Sequence, residues 1–252
     1  MESRDINVRH KLGKSVFVVS QLGRCDVVKS LLSSGADINF HEEGGQSPLF
    51  AASMYGHCDV VKCLLSSGAY INLPDKDGQS PLAIVSQLVH CDVVKCSGAD
   101  INLCDIVGQS PLLIASLLGH CDVVKCLLSS GADINLRNKR GQSPLFAASK
   151  RGHCDVVKCL LSSGAYINLR DESGLSPLFA ASMSGHCDVV KCLLSSGADI
   201  NLRDEGGRPP LFAASHNGRC EVVKCLVSSD ADINLCDEGG QSPLFAASKR
   251  GQ

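Results

Sequence analysis

The sequence predicts an all-α repeat solenoid, built from stacked helix-turn-helix units that carry β-hairpin or loop arms. Three observations predict it. The segment Ser-Pro-Leu-Phe-Ala-Ala-Ser recurs almost verbatim along 252 residues, which rules out an ordinary single-core reading. Its first position falls at Ser15, Ser47, Ser80, Ser110, Ser143, Ser176, Pro209 and Ser242, at intervals of 32, 33, 30, 33, 33, 33 and 33, so nothing is left for another domain. With 44% hydrophobic residues but no Trp and only 4% aromatics, the core must consist of many small, similar contacts.

The elements follow in order within residues 45–77. Ser47 is an N-cap, and Pro48 takes the first helical position, where its missing N–H costs nothing. The first helix runs through Leu49, Phe50, Ala51, Ala52 and Ser53 until Gly56 supplies a left-handed stop. In the second helix, Cys58, Val60, Val61, Cys63, Leu64 and Leu65 form the apolar face, while Asp59 and Lys62 face solvent. Gly68 ends it, and residues 69–78 read as an extended arm with a turn. The same grammar divides the chain into a partial arm over 1–14, units at 15–44, 45–77, 78–107, 108–140, 141–173, 174–206 and 207–239, and a partial unit over 240–252.

Two helices this short are marginal in water by themselves, so they must stack. A 33-residue unit carrying Ser-Pro-Leu-Phe-Ala-Ala-Ser, Gly-His-Cys-Asp-Val-Val-Lys-Cys-Leu-Leu and Gly-Ala-Asp-Ile-Asn resembles the ankyrin repeat, over nearly the whole chain. Two departures stand out: Phe50, Phe146, Phe179, Phe212 and Phe245 occupy the position where the family usually has His, and Ser replaces Thr before Pro. The resemblance therefore implies that the family's side-chain hydrogen bond from that His is absent.

The pattern breaks in three places. Residues 5–14 align with 37–43 and onward, so they read as the arm of an earlier unit, and Pro is missing after Ser15. At the other end Leu244 and Phe245 look toward a neighbour, which suggests a fragment of a longer array. The third unit has Cys96-Ser97-Gly98 where its siblings have Cys-Leu-Leu-Ser-Ser-Gly, and Val89 in place of the turn Gly. Removing three residues turns the chain by about 300 degrees and shortens it by roughly 4.5 Å, so the stack resumes about 60 degrees out of register. Residues 78–107 are the expected weak link.

Several function classes are disfavoured. The balance of 24 Lys+Arg against 26 Asp+Glu argues against a basic nucleic-acid surface. The charged N-terminus and the short run 16–19 give no export signal or membrane span, and fifteen Cys is an odd number, so a cytoplasmic or nuclear protein is expected. The Cys pairs at i, i+5, such as Cys58 and Cys63, are about 140 degrees apart on a helix, and equivalent Cys of adjacent units are about 8–10 Å apart, so they read as small core hydrophobes. Cys104 and Cys236, on the arms, are the candidates for reactivity. His57, His90, His120, His153 and His186 each precede a Cys without zinc-ligand spacing, and Asp75-Lys76-Asp77-Gly78 resembles a calcium loop only superficially. No phosphate loop, nucleophile elbow or metalloprotease motif is present, so neither an enzyme nor a cofactor is expected.

What varies between units marks where a partner touches. Similarity to the ankyrin family implies that arm tips and first helices line a concave face that binds other proteins. On that face Met54, Tyr55, Leu88, Leu117 and Leu118 are joined by Ile106 and Val107, and the next unit offers Arg137, Lys139, Arg140, Lys150 and Arg151. This suggests a groove for a protein or peptide with apolar anchors followed by acidic residues. The expected function is a monomeric, non-catalytic interaction scaffold or adaptor without affinity for nucleic acid or membrane. The alternatives are the recognition part of a larger enzyme, receptor or channel and, more distantly, a thiol-rich metal or redox buffer. Asn39, Asn102, Asn135, Asn201 and Asn234 resemble the family's asparaginyl hydroxylation sites.

Overall fold

Helices begin where the sequence places Ser-Pro and stop where it places Gly. The computed structural model describes residues 2–96 and 100–248. Among these the chain forms α1 (Glu2–Gln21), α2 (Cys25–Ser33), α3 (Pro48–Met54), α4 (Cys58–Ser66), α5 (Pro81–Leu88), α6 (Cys91–Cys96), α7 (Pro111–Leu118) and α8 (Cys121–Ser129). There follow α9 (Pro144–Arg151), α10 (Cys154–Ser162), α11 (Pro177–Ser184), α12 (Cys187–Ser195), α13 (Pro210–His216), α14 (Cys220–Ser228) and α15 (Pro243–Ser248). The caps form as the residue types dictate. Ser47 Oγ accepts the Phe50 N–H at 3.1 Å, and Ser143 and Ser176 do the same for Phe146 and Phe179. Gly152 closes α9 at φ 81°, a left-handed conformation that costs Gly nothing.

Contacts divide the chain into two compact units, Met1–Ile114 with Lys125–Ala132, and Ala115–Val124 with Asp133–Gln252. In the first, α1, α3 and α5 pack in series, as do α2, α4 and α6, and each first helix packs on its own second helix. In the second unit α9, α11, α13 and α15 form one row and α10, α12 and α14 another. The repeated Leu of Ser-Pro-Leu is buried from Leu49 to Leu211, and the Val-Val pair of the second helices is buried from Val60-Val61 to Val189-Val190, whereas Val27 and Leu244 are exposed and Val223 is half-buried. Phe50, Phe146, Phe179 and Phe212 are buried too, so the ring that replaces the family's His fills core space instead of bonding a turn.

No strand occurs among the described residues, so the arms are loops rather than hairpin ladders. Each tip is instead a turn held by one acceptor. Asp75 Oδ1 accepts from the N–H groups of Asp77 and Gln79, which confirms a turn, and Asp171 and Asn138 act likewise. Single backbone bonds join neighbouring tips, Lys76 N–H to Gly44 O and Glu172 N–H to Arg140 O at 3.0 Å each, too few to make a ladder.

The N-terminus differs from the expectation. Residues 5–14, read from sequence as an arm, belong to α1. No Pro follows Ser15, and the Ser15 hydroxyl donates to the Lys11 carbonyl at 3.0 Å, as a residue inside a helix does, rather than capping a new one. The spacing is corrected as well. His57 bonds the carbonyl of Gln21 and His90 that of Met54, both 36 residues back, so Lys14 and not Ser15 corresponds to Ser47. In the third unit α6 has six residues where α4 has nine, as the deletion requires. The resumption of the chain at 97–99 lies outside the described residues.

Candidate interaction surface

The scaffold uses its own polar groups before a partner can. Four second-helix imidazoles reach back to the end of the preceding first helix: His57 to Gln21 O (2.9 Å), His90 to Met54 O (3.2 Å), His153 to Leu117 O and His186 to Lys150 O (both 3.1 Å). Arg219 takes that role for Met183 O at 3.2 Å. The arm asparagines join neighbours too, since Asn39 Oδ1 accepts the Tyr70 N–H at 2.8 Å and Asn135 Oδ1 the Tyr166 N–H at 2.9 Å. These side chains answer the helix-end and loop groups that would otherwise lack partners. No three His, Cys, Asp or Glu side chains converge on a metal site among the described residues, and no helix there is long and apolar enough to cross a membrane.

In the first unit, Met54 ends α3 half-buried, while Tyr55 beyond it is exposed and stacks on His57 at 6.3 Å. Leu88 is exposed at the end of α5, and Ile106 and Val107 are exposed at an arm tip. Ile106 leans on the preceding tip, where a Cβ added to Gly78 would lie 2.6 Å from its Cγ2.

In the second unit, Leu117 is half-buried and Leu118 exposed. Arg137, Lys139 and Arg140 are exposed on one arm, and Lys150 and Arg151 on the last turn of α9, where cations complement the helix C-terminus. Among the described residues no ion pair holds Lys139, Arg140, Lys150 or Arg151. These five cations form two groups. The run of α9 from Pro144 to Lys150 puts about 9 Å of helix between the arm base and the helix-end pair. Asp133 and Glu172 share the arm hollow with Arg137 and Lys139, so the tip face carries both signs.

Sequence reasoning missed a second hollow in this unit, of about 250 Å³, whose lining includes Phe179 and Met183 of α11, Phe212 and His216 of α13, and Arg208. Arg208 Nη2 pairs with Asp204 Oδ2 at 2.7 Å, and Asp204 is otherwise spent on the N–H groups of Gly206 and Arg208. The available signal was Arg208 itself, which stands where five other units carry Gln. Cys104, expected to be reactive, is half-buried. Burial, then the carboxylates of Asp105 and Asp100, push its thiol up, which disfavours the reactive thiolate.

The family model for ankyrin repeats (3 copies) matches residues 16–105, 84–171, 112–204 and 178–252. No curated protein matches the sequence.

Proposed function

We propose that the chain, which belongs to the ankyrin repeat family, is a non-catalytic scaffold that captures an acidic protein segment on the arm tips and first-helix ends of its second unit. Ankyrin repeats are in general protein–protein interaction modules. One observation carries the finer reading: Lys139, Arg140, Lys150 and Arg151 are exposed cations without an ion pair among the described residues, on a scaffold whose His, Asn and arm-Asp groups are used internally. Unpaired surface cations raise encounter rates with anionic partners and set register, while Leu118, exposed at the end of α7 in the same unit, offers an apolar contact. The apolar set Met54, Tyr55, Leu88, Ile106 and Val107 is a separate candidate contact in the first unit. We take the protein to act in the cytoplasm, since its fifteen cysteines, an odd number, fit a reducing compartment.

The test uses fluorescent peptides with two Leu followed by four Glu, and the matching Lys series. The Glu peptide should bind more tightly, and its affinity should fall between 50 and 200 mM salt. Arg140→Glu with Arg151→Glu should weaken it about tenfold and flatten the salt dependence. Equal binding of both peptides, or no effect of the reversal, refutes the reading.

A further inference from the structure

The second helices bring cysteines together in a register that the 33-residue period hides. Cys154 opens α10, and its thiol points at the carbonyl oxygen of Asp188 on the next second helix, 4.0 Å away. Cys187 stands 3.8 Å from Glu221 O, Cys121 3.8 Å from Asp155 O, and Cys25 3.6 Å from Asp59 O. Each of those carbonyls lies four residues before the inner cysteine of its own helix, at Cys192, Cys225, Cys159 and Cys63. Residues four apart share a helix face, so the outer thiol of one repeat lies against the inner thiol of the next. The thiols of Cys63, Cys192 and Cys225 are each pushed up by burial first and then by the outer thiol of the preceding repeat, Cys25, Cys154 and Cys187 in turn. Neither the i, i+5 spacing within a helix nor the stacking of equivalent positions reveals this diagonal.

We propose that Cys25/Cys63, Cys154/Cys192 and Cys187/Cys225 are inter-repeat dithiol sites that a peroxide converts to disulfides, each stapling one repeat to the next. The outer thiolate attacks the peroxide oxygen and leaves as a sulfenic acid with loss of one water. The inner sulfur then displaces that hydroxyl as a second water, closing the S–S bond. Two thiols and one hydrogen peroxide thus become one disulfide and two waters, and the two electrons pass to the peroxide. Burial, with the neighbouring Cys154 thiol, pushes Cys192 up, so Cys192 keeps its proton and reacts second. Since repeat-array stability resides in nearest-neighbour interfaces, the staples harden the array under oxidising conditions.

The folded full-length chain is treated with hydrogen peroxide, alkylated and digested for mass spectrometry. Three intramolecular links are expected, each 2 Da lighter than the dithiol, together with a higher urea midpoint that a reductant reverses. Residues 126–137 and 192–203 are identical in sequence, so Cys192→Ser supplies the assignment: it should abolish the link to the Cys154 peptide and leave Cys187–Cys225 intact. Links between Cys154 and Cys159 within one helix, or no link where dithiothreitol is fully oxidised, overturn the proposal.

Discussion

The Nε2 atom of His186 lies 3.1 Å from the carbonyl oxygen of Lys150, and the same ring covers Gly152, where an added Cβ would come within 2.6 Å of Nδ1. One side chain thus answers an orphan helix-end carbonyl and fills the space left by a glycine of the preceding repeat. Position 57 repeats the arrangement over Gly23, and position 153 over Gly119.

A double-mutant cycle should expose this coupling. His186→Ala should cost about 1–2 kcal/mol, for a lost hydrogen bond and lost packing. Gly152→Ala should also destabilise, because φ there is 81° and the methyl collides with the ring. In the His186→Ala background the collision is gone, so the glycine substitution should cost less. Urea unfolding of the four proteins checks this, and strictly additive losses would show that ring and glycine are independent.

Helix α13 is the exception among the Ser-capped first helices. Pro209 stands at its N-cap without a side-chain acceptor, whereas Ser176 Oγ holds the Phe179 N–H at 3.1 Å in the repeat before. Pro209→Ser should therefore stabilise the second unit by about 1 kcal/mol, the usual worth of such a cap. The measurement is the urea midpoint, with amide exchange at Phe212 as the local reporter. An unchanged exchange rate there would mean that the new hydroxyl does not cap.

The Cys104 thiol is held above its ordinary value, by burial first and then by Asp105 and Asp100. The folded state therefore keeps a proton that the unfolded chain releases earlier. Its contribution to stability is present at neutral pH and is lost as pH rises through the folded value. Iodoacetamide should modify Cys104 more slowly in the folded chain than in urea at pH 7.5, with the gap closing as pH rises. Asp105→Asn should speed the folded reaction without loosening the turn, since Asn138 already holds the same turn by accepting from the Arg140 and Gln142 N–H groups. Equal rates in folded and unfolded protein would show that burial does not reach the sulfur.

Much of this fold was legible because punctuation residues act locally. Ser47, Pro48 and Gly56 fix a helix start and stop within one turn, and the structure places them there. What escaped the sequence depends on contacts between repeats. The back-bond of His186 spans 36 residues and the Cys154 to Cys192 contact 38, neither equal to the period that made the repeat visible. The hollow at Met183 and Phe212 needs two first helices side by side. At the N-terminus the similarity of 5–14 to an arm outweighed the missing Pro, although that single absence lets α1 continue.

The third repeat should be the softest part of the chain, and Val89 is the position at which to prove it. It caps α5 at φ 65°, a left-handed conformation that costs a β-branched residue about 1–2 kcal/mol and that its siblings leave to Gly. Its side chain is exposed, so little burial offsets that strain. The following α6 is one turn short, and the Leu that siblings bury there, such as Leu64, is missing, whereas Leu65 is only half-buried, so the lost burial concentrates on one position. A small apolar void of about 10 Å³ also opens beside Val93, against Leu65, Leu82 and Val85. Val89→Gly should therefore raise stability by about 1 kcal/mol, since glycine adopts φ > 0 freely and the gain exceeds its added backbone entropy. Native-state hydrogen exchange should find the lowest protection among the helices in α5 and α6, and the substitution should slow exchange there more than in α11 or α13. If Val89→Gly instead accelerates exchange in α5, the valine side chain supports the repeat, and the weakness must be sought elsewhere.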